Sequence, residues 1–256
     1  MTKLKDLVKI YLDAGHGGTD SGAIGNGLME KHLTLKIVLK IKKLLEQYVV
    51  DVRLSRSTDK TVSLESRTDD ANKWGADYLL SVHINAFGDK DGDGDGDGYG
   101  YEDFIHDKLS ATSNTSKLRT IMHNELKNLF PKNRGMKKKN LHMLRESDMS
   151  ALLTESGFID NSNDAKLLKS DAFLNKVAQA HVDGLVKAFD LKKKEVVKPV
   201  SHAKSTHTHY SVRLGDTLSG IAKKYKVSVG EILELNPQIK NRNQIFVNYL
   251  LNIPLK

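Results

Sequence analysis

The sequence predicts an α/β fold: a mainly parallel, twisted sheet flanked by helices, followed by a small βααβ domain. Short apolar runs alternate with amphipathic helical stripes through residues 1–190, the pattern of a sheet covered on both faces. Three of those runs stop at an ionisable residue, His16 after a glycine loop, then His83 and Glu155. Carboxyl ends of parallel strands are where such groups gather. Composition then shifts at residue 191 to a basic Ser/Thr/His/Pro stretch, and ordered patterning resumes near residue 209. The expected organisation is therefore 1–190 as a catalytic-size domain, 191–208 as a linker and 209–256 as a small module.

In order, residues 8–12 read as a strand that ends in a Gly-rich loop, and 33–48 carry a helical apolar stripe. Residues 49–54 read as a second strand. Residues 63–74 read as a helix opened by a serine cap, and 77–84 as a third strand. An amphipathic helix over 118–129, a buried strand over 151–154 and a closing helix over 171–189 complete the larger domain. In the tail, 210–212 and 245–253 suit strands, with short helices over 218–224 and 229–235.

The chain has 256 residues, of which 39% are hydrophobic, enough to bury a core. It has no cysteine, so disulfides and thiolate metal sites are excluded and any metal must be held by His, Asp or Glu. No apolar run approaches the ~20 residues of a membrane span. The first ten residues lack an apolar stretch of signal-peptide length. Synthesis in the cytoplasm without a signal peptide is the expectation. The excess of eight positive charges falls in residues 191–256, which hold twelve basic and four acidic side chains. Such a tail suits a polyanion. Nucleic acid is disfavoured, because no helix-turn-helix or zinc-finger pattern is present.

A cysteine-free zinc site takes two histidines, a carboxylate and an open position for water. His16, His83 and Glu30, which opens the helix after the loop, can converge on one cation. Glu155 is placed to exchange the proton of an activated water. By spacing alone, ordinary surface or core histidines account for the same residues.

Four blocks narrow the choice: Asp13 to Gly18, Glu30 within Leu28-Met29-Glu30-Lys31, Ser81 to Ala86, and Thr154 to Phe158. In order and spacing they resemble the signature blocks of the zinc-dependent N-acetylmuramoyl-L-alanine amidase family. The resemblance covers residues 7–190. It implies Zn2+ held by His16, Glu30 and His83, with Glu155 catalytic. It also implies cleavage of the amide between N-acetylmuramic acid and the L-alanine of the peptidoglycan stem peptide. Arg56 and Arg67 are read as structural ion-pair residues first and substrate contacts second, and Asn85 as a substrate contact or a brace for His83. The rival functions are a zinc peptidase cutting within the stem peptide and a non-catalytic wall-binding protein.

The tail, through Tyr210 to Ala222 and Glu231 to Pro237, resembles a LysM module. That resemblance implies a glycan groove between Gly215, Asp216, Thr217 and Leu218 on one side and Asn236, Pro237, Gln238 and Ile239 on the other. The expected partners are the peptidoglycan glycan and stem peptide, with anionic wall polymers for the basic tail and for the Lys137-Lys138-Lys139 run, read as a solvated turn. The chain is expected to be a monomer that acts on the wall after release through a holin pore or by cell lysis. A phage endolysin or a bacterial lysis or sporulation autolysin would behave in this way.

One tract departs from the amidase pattern. Asp91, Asp93, Asp95, Gly96 and Glu102 satisfy calcium-loop spacing, so Ca2+ could order a Gly-Asp loop at the rim of the site. A Gly-Asp repeat also meets that spacing by composition alone. His202, His207 and His209 are read as solvated linker residues.

Overall fold

The computed structural model describes residues 7–88, 94–194 and 207–255. The chain forms two compact units, the first ending at Lys194. The first unit contains β1 (Lys9–Ala14), β2 (Ile24–Gly25), β3 (Leu28–Met29), α1 (Glu30–Leu45), β4 (Asp51–Leu54), α2 (Leu64–Trp74) and β5 (Tyr78–Asn85). It continues through β6 (Tyr101–Ile105), α3 (Asn114–Leu126), β7 (Asn133–Lys138), α4 (His142–Arg145), β8 (Ser150–Phe158), α5 (Ser162–Leu168) and α6 (Asp171–Phe189).

The main sheet has the order β4-β1-β5-β8-β6-β7. β4, β1, β5 and β8 are parallel; β6 runs antiparallel to β8 and parallel to β7. Strand residues alternate between faces. Ile10, Leu12, Leu80, Val82 and Leu152 pack on one face with the stripes of α1 and α6, including Ile37 and Val177. Tyr11, Leu79, Ala151 and Leu153 pack on the other face with Ala71 of α2 and Met143 and Leu144 of α4. His83 and Glu155 follow the second face beyond that smaller cluster, near the carboxyl ends of β5 and β8. The fold therefore leaves a working surface there.

Local chemistry sets the element ends. The Ser63 and Ser170 hydroxyls accept from Ser66 N and Phe173 N, capping α2 and α6. The β2–β3 turn places Asn26 and Gly27 at φ 52° and 74°, the Asn-Gly combination of a tight hairpin. This hairpin has no counterpart in the sequence reading; it delivers Glu30 as the first residue of α1. β6 is the strand that follows the Gly-Asp tract and takes in Glu102, whereas β7, α4 and α5 have no counterpart in the sequence pattern. Residues 137–138 belong to edge strand β7 rather than to a solvated turn.

The expected linker is also shorter among the described residues. Leu191 is buried, and Val49 N and Lys194 N donate to Lys192 O and Gln47 O, so residues 191–194 are strapped onto the first unit. His207 and His209 lie in β9 (His207–Ser211), not in a linker; His202 is outside the described residues.

In the second unit β9 pairs antiparallel with β10 (Leu250–Pro254), around α7 (Leu218–Tyr225) and α8 (Val229–Glu234). The core includes Tyr210, Val212, Leu218, Ile221, Ile232, Leu251 and Ile253. Ser228 and Glu231 form a reciprocal capping box that starts α8. The return strand begins at Leu250 rather than 245, because the preceding residues turn through Asn248 at φ 71°.

Two buried polar groups make the fold sensitive to substitution and acid. Arg67 Nη1 lies 2.6 Å from Asp13 Oδ1, with both side chains almost wholly buried. Replacing Arg67 with Met is expected to cost about 3–5 kcal/mol, because the Asp13 charge is left uncompensated. Urea unfolding measures it, and a loss below ~1 kcal/mol would contradict the assignment.

His181 is fully buried, with Nδ1 2.8 Å from Val177 O and Nε2 3.1 Å from Thr154 Oγ1. The carbonyl can only accept, so Nδ1 carries the proton and Nε2 accepts from Thr154. Burial pushes the His181 pKa down from 6.5 to about 4, against a smaller opposing effect of the Val177 carbonyl. The unfolded chain thus takes up this proton first as pH falls. The stabilisation is complete above pH ~6.5 and fades toward pH ~4, a total of about 3 kcal/mol. Denaturant titrations across that window should show a steeper acid loss for the wild type than for His181→Gln; equal slopes would remove His181 from the account.

Candidate metal centre and its surroundings

The segment after β1 has to turn sharply to bring His16 beside β5. His16 adopts φ 61°, and Arg56 and Arg67 hold that conformation from behind. Arg56 Nε donates to Ala14 O at 3.0 Å, and its Nη2 donates to Gly15 O and Lys31 O at 3.0 and 2.7 Å. Arg67 Nη1 donates to Ala14 O and Nη2 to His16 O, both at 2.7 Å. Arg67 makes the expected ion pair, whereas Arg56 spends its guanidinium on carbonyls. Gly15 is required for close approach: a Cβ there would lie 2.3 Å from His83 Cε1.

The loop, the start of α1 and β5 bring His16, Glu30 and His83 together, with one donor atom from each mutually within 4.8 Å. His16 Nε2 is 3.2 Å from Glu30 Oε2, and His83 Nδ1 is 2.9 Å from Glu30 Oε1. The two imidazoles meet edge-on, with ring centroids 5.0 Å apart. Ala23 N and Ile84 N donate to Glu30 Oε2 and Oε1 and fix the carboxylate. Burial alone would raise the Glu30 pKa, but the hydrogen bonds and charges of His16 and His83 hold it far below the carboxylate range. Burial works to lower the His16 pKa, and Glu30 followed by Asp20 outweighs it and raises the value.

Asp20, which the sequence did not single out, lies with Oδ2 2.8 Å from His16 Nδ1. It orients the imidazole and leaves Nε2 directed at Glu30. Two imidazoles and one carboxylate, with the distal nitrogen of His16 steadied by a second carboxylate, are a donor set suited to a divalent cation such as zinc.

Glu155 of β8 stands directly opposite His83 of β5 in the sheet register. Its Oε2 is buried and has no hydrogen-bond partner among the described residues. Burial, then the charges of Glu30 and Glu102, push the Glu155 pKa well above the usual value. A buried carboxyl group with an unused oxygen is equipped to accept and return a proton. The neighbouring cleft, about 310 Å³, is lined on its other side by Thr61, Val62, Leu64 and Met143.

Asn85 does not brace His83. Its Nδ2 donates to Glu102 Oε1 at 3.0 Å, and its Oδ1 accepts from Ala86 N. The calcium loop also fails to assemble among the described residues. Glu102 lies in β6 with Oε2 2.7 Å from Arg134 Nε and paired to Lys137, so its carboxylate is already neutralised. Asp95 accepts from Ser162 N and Oγ at the start of α5, and Gly96 N donates to Asp160 O. Asp91 and Asp93 lie outside the described residues.

In the second unit Gly215 turns at φ 88°, and Asp216 Oδ2 accepts from Tyr210 OH and Arg213 N. Thr217 caps α7, and Leu218 belongs to the core. Asn236 is fully buried; its amide donates to Ile232 O and Asn252 O and accepts from Asn252 N. It is structural and unavailable to a glycan. A cleft of about 360 Å³ instead faces Asp216, Thr217 and Ser219 with Arg242, Asn243 and Ile245.

Residues 10–187 match the family described as N-acetylmuramoyl-L-alanine amidase, and residues 210–254 match the LysM domain. The chain is 50% identical over 190 residues to the N-acetylmuramoyl-L-alanine amidase CwlM of Bacillus licheniformis, covering 73% of this chain and 71% of that protein. It is 45% identical to the sporulation-specific N-acetylmuramoyl-L-alanine amidase of Bacillus subtilis, with 73% and 70% covered. The endolysin of Bacillus phage SPP1 is 43% identical, with 72% and 67% covered. Among solved structures, the catalytic domain of CwlV from Bacillus (Paenibacillus) polymyxa superposes with a TM-score of 0.66 at 30% identity, covering 73% of this chain and all of that one. With the sheet, the converging His16, Glu30 and His83 and these relatives in agreement, the chain belongs to the N-acetylmuramoyl-L-alanine amidase family and carries a LysM domain after its amidase domain.

Proposed function

We propose that the protein hydrolyses the amide joining the lactyl group of N-acetylmuramic acid to the L-alanine of the stem peptide in peptidoglycan. The observation that carries this reading is the meeting of His16, Glu30 and His83 within 4.8 Å, beside the unpartnered carboxyl oxygen of Glu155. His16, Glu30 and His83 would hold Zn2+, which when bound polarises the scissile carbonyl and acidifies water. Asp20 keeps the His16 ring aligned. Glu155 Oε2 takes a proton from the attacking water and returns it to the departing L-alanine nitrogen.

The LysM domain serves as the wall anchor. A second binding site on the same polymer raises the local concentration of cleavable amides without altering the chemistry. The place of action is the cell wall. No described helix is long and apolar enough to cross a membrane.

Glu155→Gln should retain stoichiometric zinc while kcat on purified walls falls at least ~100-fold, the scale of a lost acid–base catalyst. Near-wild-type turnover would take Glu155 out of the mechanism. His83→Ala should lose zinc by elemental analysis, and chelation of the wild type should abolish lysis; a full complement of metal in the variant would refute that ligand. The new amino terminus should be L-alanine by mass spectrometry, whereas any other terminal residue would indicate a stem-peptide peptidase. A chain ending at Lys194 should keep its rate on soluble muropeptides but sediment less with insoluble walls, and unchanged sedimentation would dismiss the LysM domain as anchor.

A further inference from the structure

β6 and β7 build a cationic wall beside the site. Tyr101 pairs with Asn133 but Asp103 pairs with Met136, so Arg134 and Gly135 together face Glu102. This is a bulge, and Gly135 permits it at φ 87°. The bulge aims Arg134 at Glu102, with the guanidinium 4.7 Å from the Phe158 ring and 5.4 Å from the Phe87 ring. Lys137 donates to the same Glu102 oxygen, while Asn85 occupies the other. Arg134 is thus fixed by one carboxylate contact and two aromatic faces at 16% side-chain exposure.

Glu102 fixes these cations without exhausting them. Among the described residues, Nη1 and Nη2 of Arg134 have no acceptor, and Lys137 Nζ has only Glu102. Lys139 Nζ lies 5.9 Å from the Phe104 ring and has no carboxylate partner among the described residues. The wall therefore carries two positive charges beyond those Glu102 balances.

Its position relative to the chemistry follows from register. His83, Glu155 and Glu102 form one row across β5, β8 and β6, on the same face. Adjacent strands are ~4.8 Å apart, so Glu102 lies about 10 Å from His83, and Arg134 and Lys137 reach toward it from the next strand, β7. Two stem-peptide residues span roughly 7 Å, and the carboxyl group on the second extends toward that range. The cleft on the other side of His16 and His83 is lined by Thr61, Val62, Ser63, Leu64 and Met143 together with Asp13, Asp20 and Arg67, and it carries no such excess of cations.

Resting on the amidase reading, we propose that Arg134 and Lys137, with Lys139 beside them, bind a carboxylate of the stem peptide. The group that fits is the α-carboxylate of the γ-linked glutamyl residue after L-alanine. The enzyme would then favour walls in which this carboxylate is free over walls in which it is amidated.

The test uses the intact zinc-loaded protein and two soluble substrates, MurNAc-L-Ala-D-γ-Glu-L-Lys and the same molecule with the glutamyl α-carboxylate converted to carboxamide. The wild type is expected to favour the free acid in kcat/KM by about tenfold or more, mainly through KM, as for a lost charge-assisted hydrogen bond. In Lys137→Ala and in Arg134→Lys, which keeps the charge but loses the planar fork, that ratio should fall toward one. Thermal unfolding of each variant checks the fold, and Lys137 is exposed enough to be replaced without disturbing it. Equal wild-type rates on the two substrates, or variants that slow both by a common factor, would overturn the assignment. If the wild type freed an L-alanyl amino terminus from neither substrate, the amidase reading would fall, and this inference with it.

Discussion

Peptide carbonyls are seldom held by charged side chains in the interior, yet here two arginines clamp three successive ones. Ala14, Gly15 and His16 each give their oxygen to Arg56 or Arg67. A non-glycine residue at φ 61° is disfavoured, and hydrogen bonds to charged donors offset that cost. Asp13 in turn fixes Arg67: its burial opposes ionisation, and the neighbouring guanidinium prevails and keeps the carboxylate charged. Without this clamp the His16 ring would not be presented to Glu30 and His83. The meeting of His16, Glu30 and His83 therefore depends on groups that lie outside that cluster.

A second constraint is the direction of β6. Because it runs against β8, Glu102 comes to stand opposite Glu155 rather than at a distant corner. Two carboxylates side by side on a partly closed surface would repel. Arg134, Lys137 and Asn85 engage the carboxylate of Glu102, and among the described residues the inner oxygen of Glu155 has no hydrogen-bond partner. One carboxylate is thus committed to structure and its neighbour left available for proton transfer.

Much of this could be read from residue patterns. The helix over 171–189 matches its expected bounds because Ser170 caps one end and Asp190 closes the other in a left-handed conformation. His16, Glu30, His83 and Glu155 stand in recognisable local blocks, and the fold brings all four together. What escaped was set by tertiary pairing. Asn133–Lys138 is polar and basic, with no apolar alternation, and is a strand only because β6 offers it a partner. Asp20 is one polar loop residue among several until the His16 ring is placed. Glu102 matched calcium spacing because a Gly-Asp repeat fills such a pattern by composition, whereas strand register assigned it to cations. Asn236 sits in a turn-like Leu-Asn-Pro context, and only the packed core shows its amide tying α8 to β10.

The outer margin of the sheet has a property of its own. β7 is a terminal strand that pairs with β6 alone among the described strands, the usual template for accidental strand addition, although Arg119 Nη1 donates to its Lys137 carbonyl. Arg134, Lys137, Lys138 and Lys139 cluster along it, and the Gly135 bulge breaks its regular outline. An incoming copy of the same strand would meet like charge and mismatched spacing. Accidental sheet growth through this border is therefore disfavoured.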